Sequence, residues 1–326
     1  MILVLLAYFF LSSTFVIAKA AMAYAQPIFL IGVRMTLAGL MLYGYVYFFN
    51  DRQWKIRKND LWLFIQMAVL YYYLSFVLEF WTYPYVSASK VAFLFNLSPF
   101  ITALFAYICL SEVMTMRKWI GLIVAFIGSL PMLTVQNTPA ELSAGKFLFF
   151  SLPEISLLLA VITGAYGFIV MSKLVVRKNY SPILINAFGM FFGGIAAFIT
   201  SFLAEKKPLL KCASGSMNLD AHGVQVAPPW FCFSWPDFAM FMGCVLLLIL
   251  VANIIFYNSY GFLLKKYTPT FLSLVGLVVP ALTAFLAWIF LGEKVTWVFF
   301  LSLAVVLTGA YIFYKDELKA QGVIEE

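Results

Sequence analysis

Charge is scarce in this chain. Of its 326 residues only 11% are charged while 64% are hydrophobic, and the mean hydropathy is +0.98. Soluble domains carry roughly a quarter charged residues. This composition cannot cover a water-facing surface, which excludes a soluble class and leaves an integral membrane protein. Histidine is scarcer still, with His222 alone. Of four cysteines, Cys109 and Cys244 sit in apolar runs and read as small buried hydrophobes. Cys212 and Cys232 share one polar loop and form a candidate disulfide. No Cys or His spacing fits a metal site, and no Walker motif is present, so neither a metal, a cofactor nor ATP hydrolysis is expected. No nucleophile, base and metal set converges at membrane depth, so an enzyme is not expected either. The formal charge of +7 points to a nucleic-acid partner only until its distribution is read, because the basic residues cluster between apolar runs.

What is present is length in the apolar runs. Ten stretches of about 20 residues fall at 2–21, 27–49, 61–83, 87–110, 118–135, 150–172, 181–204, 238–264, 268–291 and 295–314. The segment 205–237 is too polar to span and too long for a simple turn. With the N-terminus inside, thirteen Lys and Arg fall on the cytoplasmic side against six in the outer loops and their margins. That bias places both termini in the cytoplasm and the long loop outside, where a disulfide is permitted. Ala-Tyr-Ala at residues 23–25 resembles a signal-peptidase site, but no basic region precedes it, so retention of the first run is expected.

The chain repeats itself. "PFITALFAYICLSEVMT" at 99–115 returns as "PALTAFLAWIFLGEKVT" at 280–296, with eight identities in seventeen positions at an offset of 181. The same offset pairs Gly128 with Gly309. Five spans separate the copies, so they run through the membrane in opposite directions. Inverted repeats around a midplane site are a transporter architecture. Pro99 and Pro280 interrupt their helices and free the carbonyls of Phe95 and Gly276. A packing kink and a cavity-lining break both fit these hinge candidates.

At this point the chain resembles the EamA family of the drug/metabolite transporter superfamily. The resemblance rests on both Pro-bearing helices, each closed by a Gly/Ser-Glu-x-x-(Ser/Thr) turn: Ser111-Glu112…Thr115 and Gly292-Glu293…Thr296. Gly121 and Gly128 follow the first and Gly309 the second. The stretches "FVIAKAAMAYAQPIFLIGVRMTLAGLML" and "YPYVSASKVAFLFNLSPFITALFA" are also similar to the family. The resemblance implies an all-α membrane protein with ten transmembrane helices in two inverted five-helix repeats. The first would be 1–135, with 136–149 an outer connection. The second would be 150–314, with a tail at 315–326. Glu112 and Glu293 read as structural turn residues, favoured beside a helix N-terminus.

Ionisable groups inside spans are costly and usually functional. Lys19, Arg34, Glu79 and Lys90 are the candidates, all in the outer half of the first repeat. Three cations and one anion leave a local positive excess suited to an anionic or zwitterionic solute. The competing reading has the lysines snorkelling and Arg34 pairing with Glu79 structurally. Tyr72, Phe76, Glu79 and Tyr83 share one helical side, and adding 181 gives Asn253, Tyr257, Tyr260 and Leu264. Aromatics around a carboxylate describe a cation site, which would suit an amine instead. Asn96 is a further buried polar candidate. Gly121, Ala125 and Ser129, and Gly189, Gly193 and Ala197, recur every four residues and permit close helix approach, within the scaffold or at a dimer face. The expected function is a secondary transporter of a small polar metabolite working by alternating access. Its partners would be the solute and the lipid bilayer, with proton or counter-substrate coupling open. A membrane sensor or scaffold is the other class. If Glu79 exchanges protons, transport depends on outside pH.

Overall fold

The computed structural model describes residues 2–49, 55–86, 90–91, 94–111, 114–135, 146–147, 150–205, 209–211, 235–292 and 297–320. Glu112, Glu293, Cys212, Cys232 and most of loop 205–237 lie outside the described residues, as does the side chain of Asn96.

The helices, in order, are α1 (Ile2–Ala21), α2 (Pro27–Phe49), α3 (Lys58–Thr82), α4 (Ser98–Leu110), α5 (Met116–Val135), α6 (Leu152–Arg177), α7 (Pro182–Ala204), α8 (Trp235–Leu263), α9 (Pro269–Val275), α10 (Val279–Leu291) and α11 (Trp297–Ala320). A two-residue hairpin pairing, Lys146–Phe147 with Phe150–Ser151, precedes α6. Among the described residues, six helices are long and apolar enough to cross a membrane: α2, α3, α6, α7, α8 and Trp297–Asp316 of α11. Leu6–Ala21, Ser98–Leu110 and Val279–Leu291 are shorter apolar helices. The outward faces of the long helices are apolar, with Leu203 of α7 84% and Phe48 of α2 78% exposed, a surface that lipid rather than water satisfies.

Local sequence explains the helix ends. Pro27 and Pro182 open α2 and α7, where a missing N–H costs nothing. Ser151 and Glu154 form a reciprocal capping box on α6: the Glu154 N–H donates to Ser151 Oγ, and the Ser151 N–H donates to Glu154 Oε2 at 2.8 Å. The carboxylate of Glu205 accepts from the N–H groups of Ile28 and Phe29 at 2.6 and 2.8 Å, so a residue 176 positions away caps α2. Ser111 (φ 62°) ends α4 in the left-handed region, and 181 positions on Gly292 (φ 66°) does the same after α10.

The backbone carries further features at that spacing. A π-helical stretch at Met67–Ser75 within α3 is matched by Ile249–Phe256 within α8. A 3-10 turn at Phe95–Leu97 before Pro99 is matched by Gly276–Val278 before Pro280. The helix tightens ahead of each proline, where the i→i−4 bond cannot form.

Packing is densest between α2 and α7 and between α5 and α11. The π-helical stretch of α3 rests on α6 and α7, while that of α8 rests on α1. α4 packs on α6 and on α9, and α1 packs on α10. The small residues serve internal contacts. A side chain at Gly121 would meet the Gly309 carbonyl at 2.6 Å, and one at Gly189 would meet the Tyr72 ring at 2.3 Å.

Candidate functional site

The breaks and π-helical stretches converge on one cavity. It encloses about 920 Å³ of empty space, open solvent at its mouth included, and is walled by α1, α2, α3, α6, α8 and the broken helices around Pro99 and Gly276. π-Helical turns recur at functional sites because they re-aim side chains without ending the helix. Here the one in α3 brings both Tyr71 and Ser75 to the wall ahead of Phe76 and Glu79.

Arg34 and Glu79 are the charged side chains in this wall, and both are buried, at 2% and 7% exposure. Arg34 donates from Nε to Asn253 Oδ1 at 2.8 Å, and its guanidinium carbon lies 5.8 Å from the Phe76 ring centroid. Glu79 accepts from the Tyr83 hydroxyl at 3.1 Å. Among the described residues no ion pair joins Arg34 to Glu79, so the structural pairing weighed from sequence is not what the geometry gives. They remain electrostatic neighbours, and Tyr257 and Tyr83 also interact with Arg34.

The rest of the wall is aromatic. Tyr257 meets Phe76 edge-on at 6.2 Å and Tyr71 edge-on at 6.0 Å. Phe168 lies 5.5 Å from Tyr71. The Tyr8 hydroxyl donates to the Leu272 carbonyl, one turn ahead of the break at Gly276. This arrangement offers one buried guanidinium, one buried carboxyl group and several ring faces in a single space.

Of the candidate residues, Arg34, Glu79, Phe76, Tyr257, Pro99 and Gly276 line the cavity. Tyr72 stands behind Phe76, stacked on it at 6.3 Å, and donates to Asn186 Oδ1 at 2.7 Å. Asn253 is fully buried behind Arg34, and Pro280 is buried outside the wall. Lys90 and Lys19 lie elsewhere. Lys90 is fully buried with its ammonium 2.8 Å from Glu154 Oε1. Lys19 donates to the Val86 carbonyl at 3.3 Å. The positive excess expected from sequence is therefore not gathered at the cavity, because Glu154, 64 positions from Lys90, balances one of the lysines. Tyr8, Tyr71, Ser75 and Phe168 were not singled out. For Tyr71 and Ser75 the π-helical turn explains it, since its phase departs from a 3.6-residue period. Among the described residues no group of His, Cys, Asp and Glu could hold a metal ion.

The profile of the EamA-like transporter family matches this chain twice, at residues 1–134 and 151–315. The chain belongs to that family, and it is a membrane-embedded metabolite transporter, not an enzyme. Over 323 residues it is 28% identical to an S-adenosylmethionine/S-adenosylhomocysteine transporter of Chlamydia muridarum (strain MoPn / Nigg), covering 99% of this chain and 93% of that one. A protein of the same name from Chlamydia trachomatis serovar L2 is 29% identical, with 99% and 90% covered. A solved crystal structure aligns with a TM-score of 0.63 at 12% identity, covering 95% of this chain and 94% of the other, a likeness of fold alone.

Proposed function

We propose that the protein moves S-adenosylmethionine or a closely similar sulfonium or thioether amino acid across the cytoplasmic membrane, both termini lying inside. The carrying observation is that Arg34 and Glu79 are buried in the wall of one aromatic cavity without pairing directly to each other. A buried charge lacking a direct counter-ion is expensive, and a zwitterionic solute supplies both partners at once. The α-carboxylate meets Arg34, in the bidentate geometry a guanidinium favours. The α-ammonium meets Glu79. The sulfonium and the purine meet the faces of Phe76, Tyr257, Tyr71 and Phe168. The anionic and cationic readings of the sequence predict opposite solutes when taken singly. A solute bearing both charges satisfies both, and the names of the chlamydial relatives support that class.

Transport proceeds by alternating access between two inverted five-helix halves, 1–135 and 150–314. The doubled family match supports this reading, as do the breaks and π-helical stretches that recur at 181 positions. The packing supports it too. Exchanging each helix for its counterpart in the other half leaves the principal contacts in place: α2 with α7, α5 with α11, α3 with α6 against α8 with α1.

Purified protein reconstituted in liposomes should take up labelled S-adenosylmethionine saturably. S-adenosylhomocysteine should compete, and free methionine should compete weakly. Flux indistinguishable from protein-free liposomes, with no competition, would overturn the solute assignment.

A further inference from the structure

Three asparagines stand behind the cavity wall, and the mechanism above does not use them. The Asn253 side chain is 0% exposed and its hydrogen-bonding groups face protein. Its Nδ2 donates to the sulfurs of Met35 and Met190 at 3.1 and 3.4 Å, while Oδ1 accepts from Arg34 Nε at 2.8 Å. With the amide nitrogen directed at two sulfurs, its oxygen is turned to the guanidinium. Behind it, α8 passes from π to α geometry at Phe256–Tyr257. A change of hydrogen-bond register leaves carbonyls short of N–H partners. The Asn258 side chain supplies them, donating to the carbonyls of Asn253 and Ile254 at 3.2 and 2.9 Å. Asn186 of α7 then donates to Asn258 Oδ1 at 2.8 Å and accepts from the Tyr72 hydroxyl. A continuous buried path thus runs from α3 through α7 and α8 to the guanidinium in α2.

We infer that Asn253 is a positioning residue for Arg34, held in place by Asn258 and Asn186, and does not itself touch the solute. By engaging Nε, it directs the two terminal nitrogens of the guanidinium as a pair toward the solute carboxylate. Without it, among the described residues only the Tyr257 hydroxyl still accepts a hydrogen bond from Arg34, which can then swing toward the neighbouring Glu79 carboxyl, and the two ends of the site cancel. This inference rests on the reading of Arg34 as the carboxylate partner.

The test compares S-adenosylmethionine with its decarboxylated analogue, each titrated against the purified protein while the melting midpoint is followed. Binding to the folded state raises that midpoint by mass action. Wild type should bind the intact compound at least about tenfold more tightly, the scale of a charge-assisted pair. Asn253→Leu should reduce this preference to about twofold or less, with affinity for the decarboxylated compound nearly unchanged. Asn258→Ala keeps the Asn253 amide and adds no charge, so it covers the case in which the leucine variant does not fold. It should reduce the preference too, because the backbone that carries Asn253 loses the donor that holds it. A role in packing alone would weaken both compounds equally and leave their ratio at the wild-type value, which overturns the inference. A wild type without preference for the carboxylate overturns the Arg34 assignment, and this inference with it.

Discussion

The two stretches that match the family profile share a frame and differ in charge. α2 and α7 both begin at proline, and an offset of 155 then pairs Met35 with Met190 and Gly39 with Gly194. The same offset sets Arg34 opposite Gly189, and the offset of 181 sets Glu79 opposite Tyr260. So both charges of the cavity wall come from the first stretch. The second offers Phe168, Phe256 and Tyr257 to the wall, and Asn253 and Asn186 behind it. Gly189 is closed against any side chain by the Tyr72 ring. The duplicated parts are those that break helices and bring backbones together. The charged positions of the cavity wall have diverged, which agrees with the proposed zwitterionic solute, for which one cation and one anion suffice.

The largest expected effect concerns the contact between the stretches. Lys90 belongs to the first and Glu154 to the second, and their ion pair is buried. Lys90→Met should cost about 3–5 kcal/mol by leaving a carboxylate unpaired, and Lys90→Met with Glu154→Leu should recover most of it. Thermal unfolding in detergent checks this. A double variant as unstable as the single would show that the pair does more than satisfy itself.

Next comes the charged member against the uncharged one. Arg34→Leu should raise the half-saturating solute concentration about 10- to 100-fold, the range of a lost charge-assisted bond. Tyr260→Phe should change it less than about twofold and leave stability equal or higher, since the Tyr260 hydroxyl is buried with no hydrogen-bond partner among the described residues. Equal transport losses in both variants would erase the asymmetry between the stretches. Glu79→Gln sharpens it differently: if this carboxylate exchanges protons, uptake should lose its dependence on outside pH while wild type retains it. A variant with the wild-type pH profile would assign coupling elsewhere.

The smallest effect is at the cap of α2. Burial pushes the Glu205 carboxyl up, while the Ser201 hydroxyl, the N–H groups of Ile28 and Phe29, and Lys211 oppose that rise. Its neutral form is thus the less costly one in the folded protein, and protonation alone should not unfold this end. Glu205→Ala removes the cap altogether and should lower stability by about 1 kcal/mol. Glu205→Gln, which keeps one acceptor, should cost less, as thermal unfolding would register.

Much of this was legible from the residues in order. Scarce charge and long apolar runs fix a membrane protein, because no water-facing surface can be built from them. The seventeen-letter repeat marks paired helix breaks, because proline removes a backbone donor wherever it stands. Arg34 and Glu79 stand out because charge inside an apolar run is rare and costly. What the tertiary structure decided was partnership. Lys90 and Arg34 look alike along the chain, yet one faces Glu154 and the other an aromatic cavity. Asn253 looks like a solute ligand and stands one layer behind, while the π-helical turn that brings Tyr71 and Ser75 to the wall follows no simple period. Burial and pairing depend on helices far apart in sequence, and a single strand of letters holds no distances.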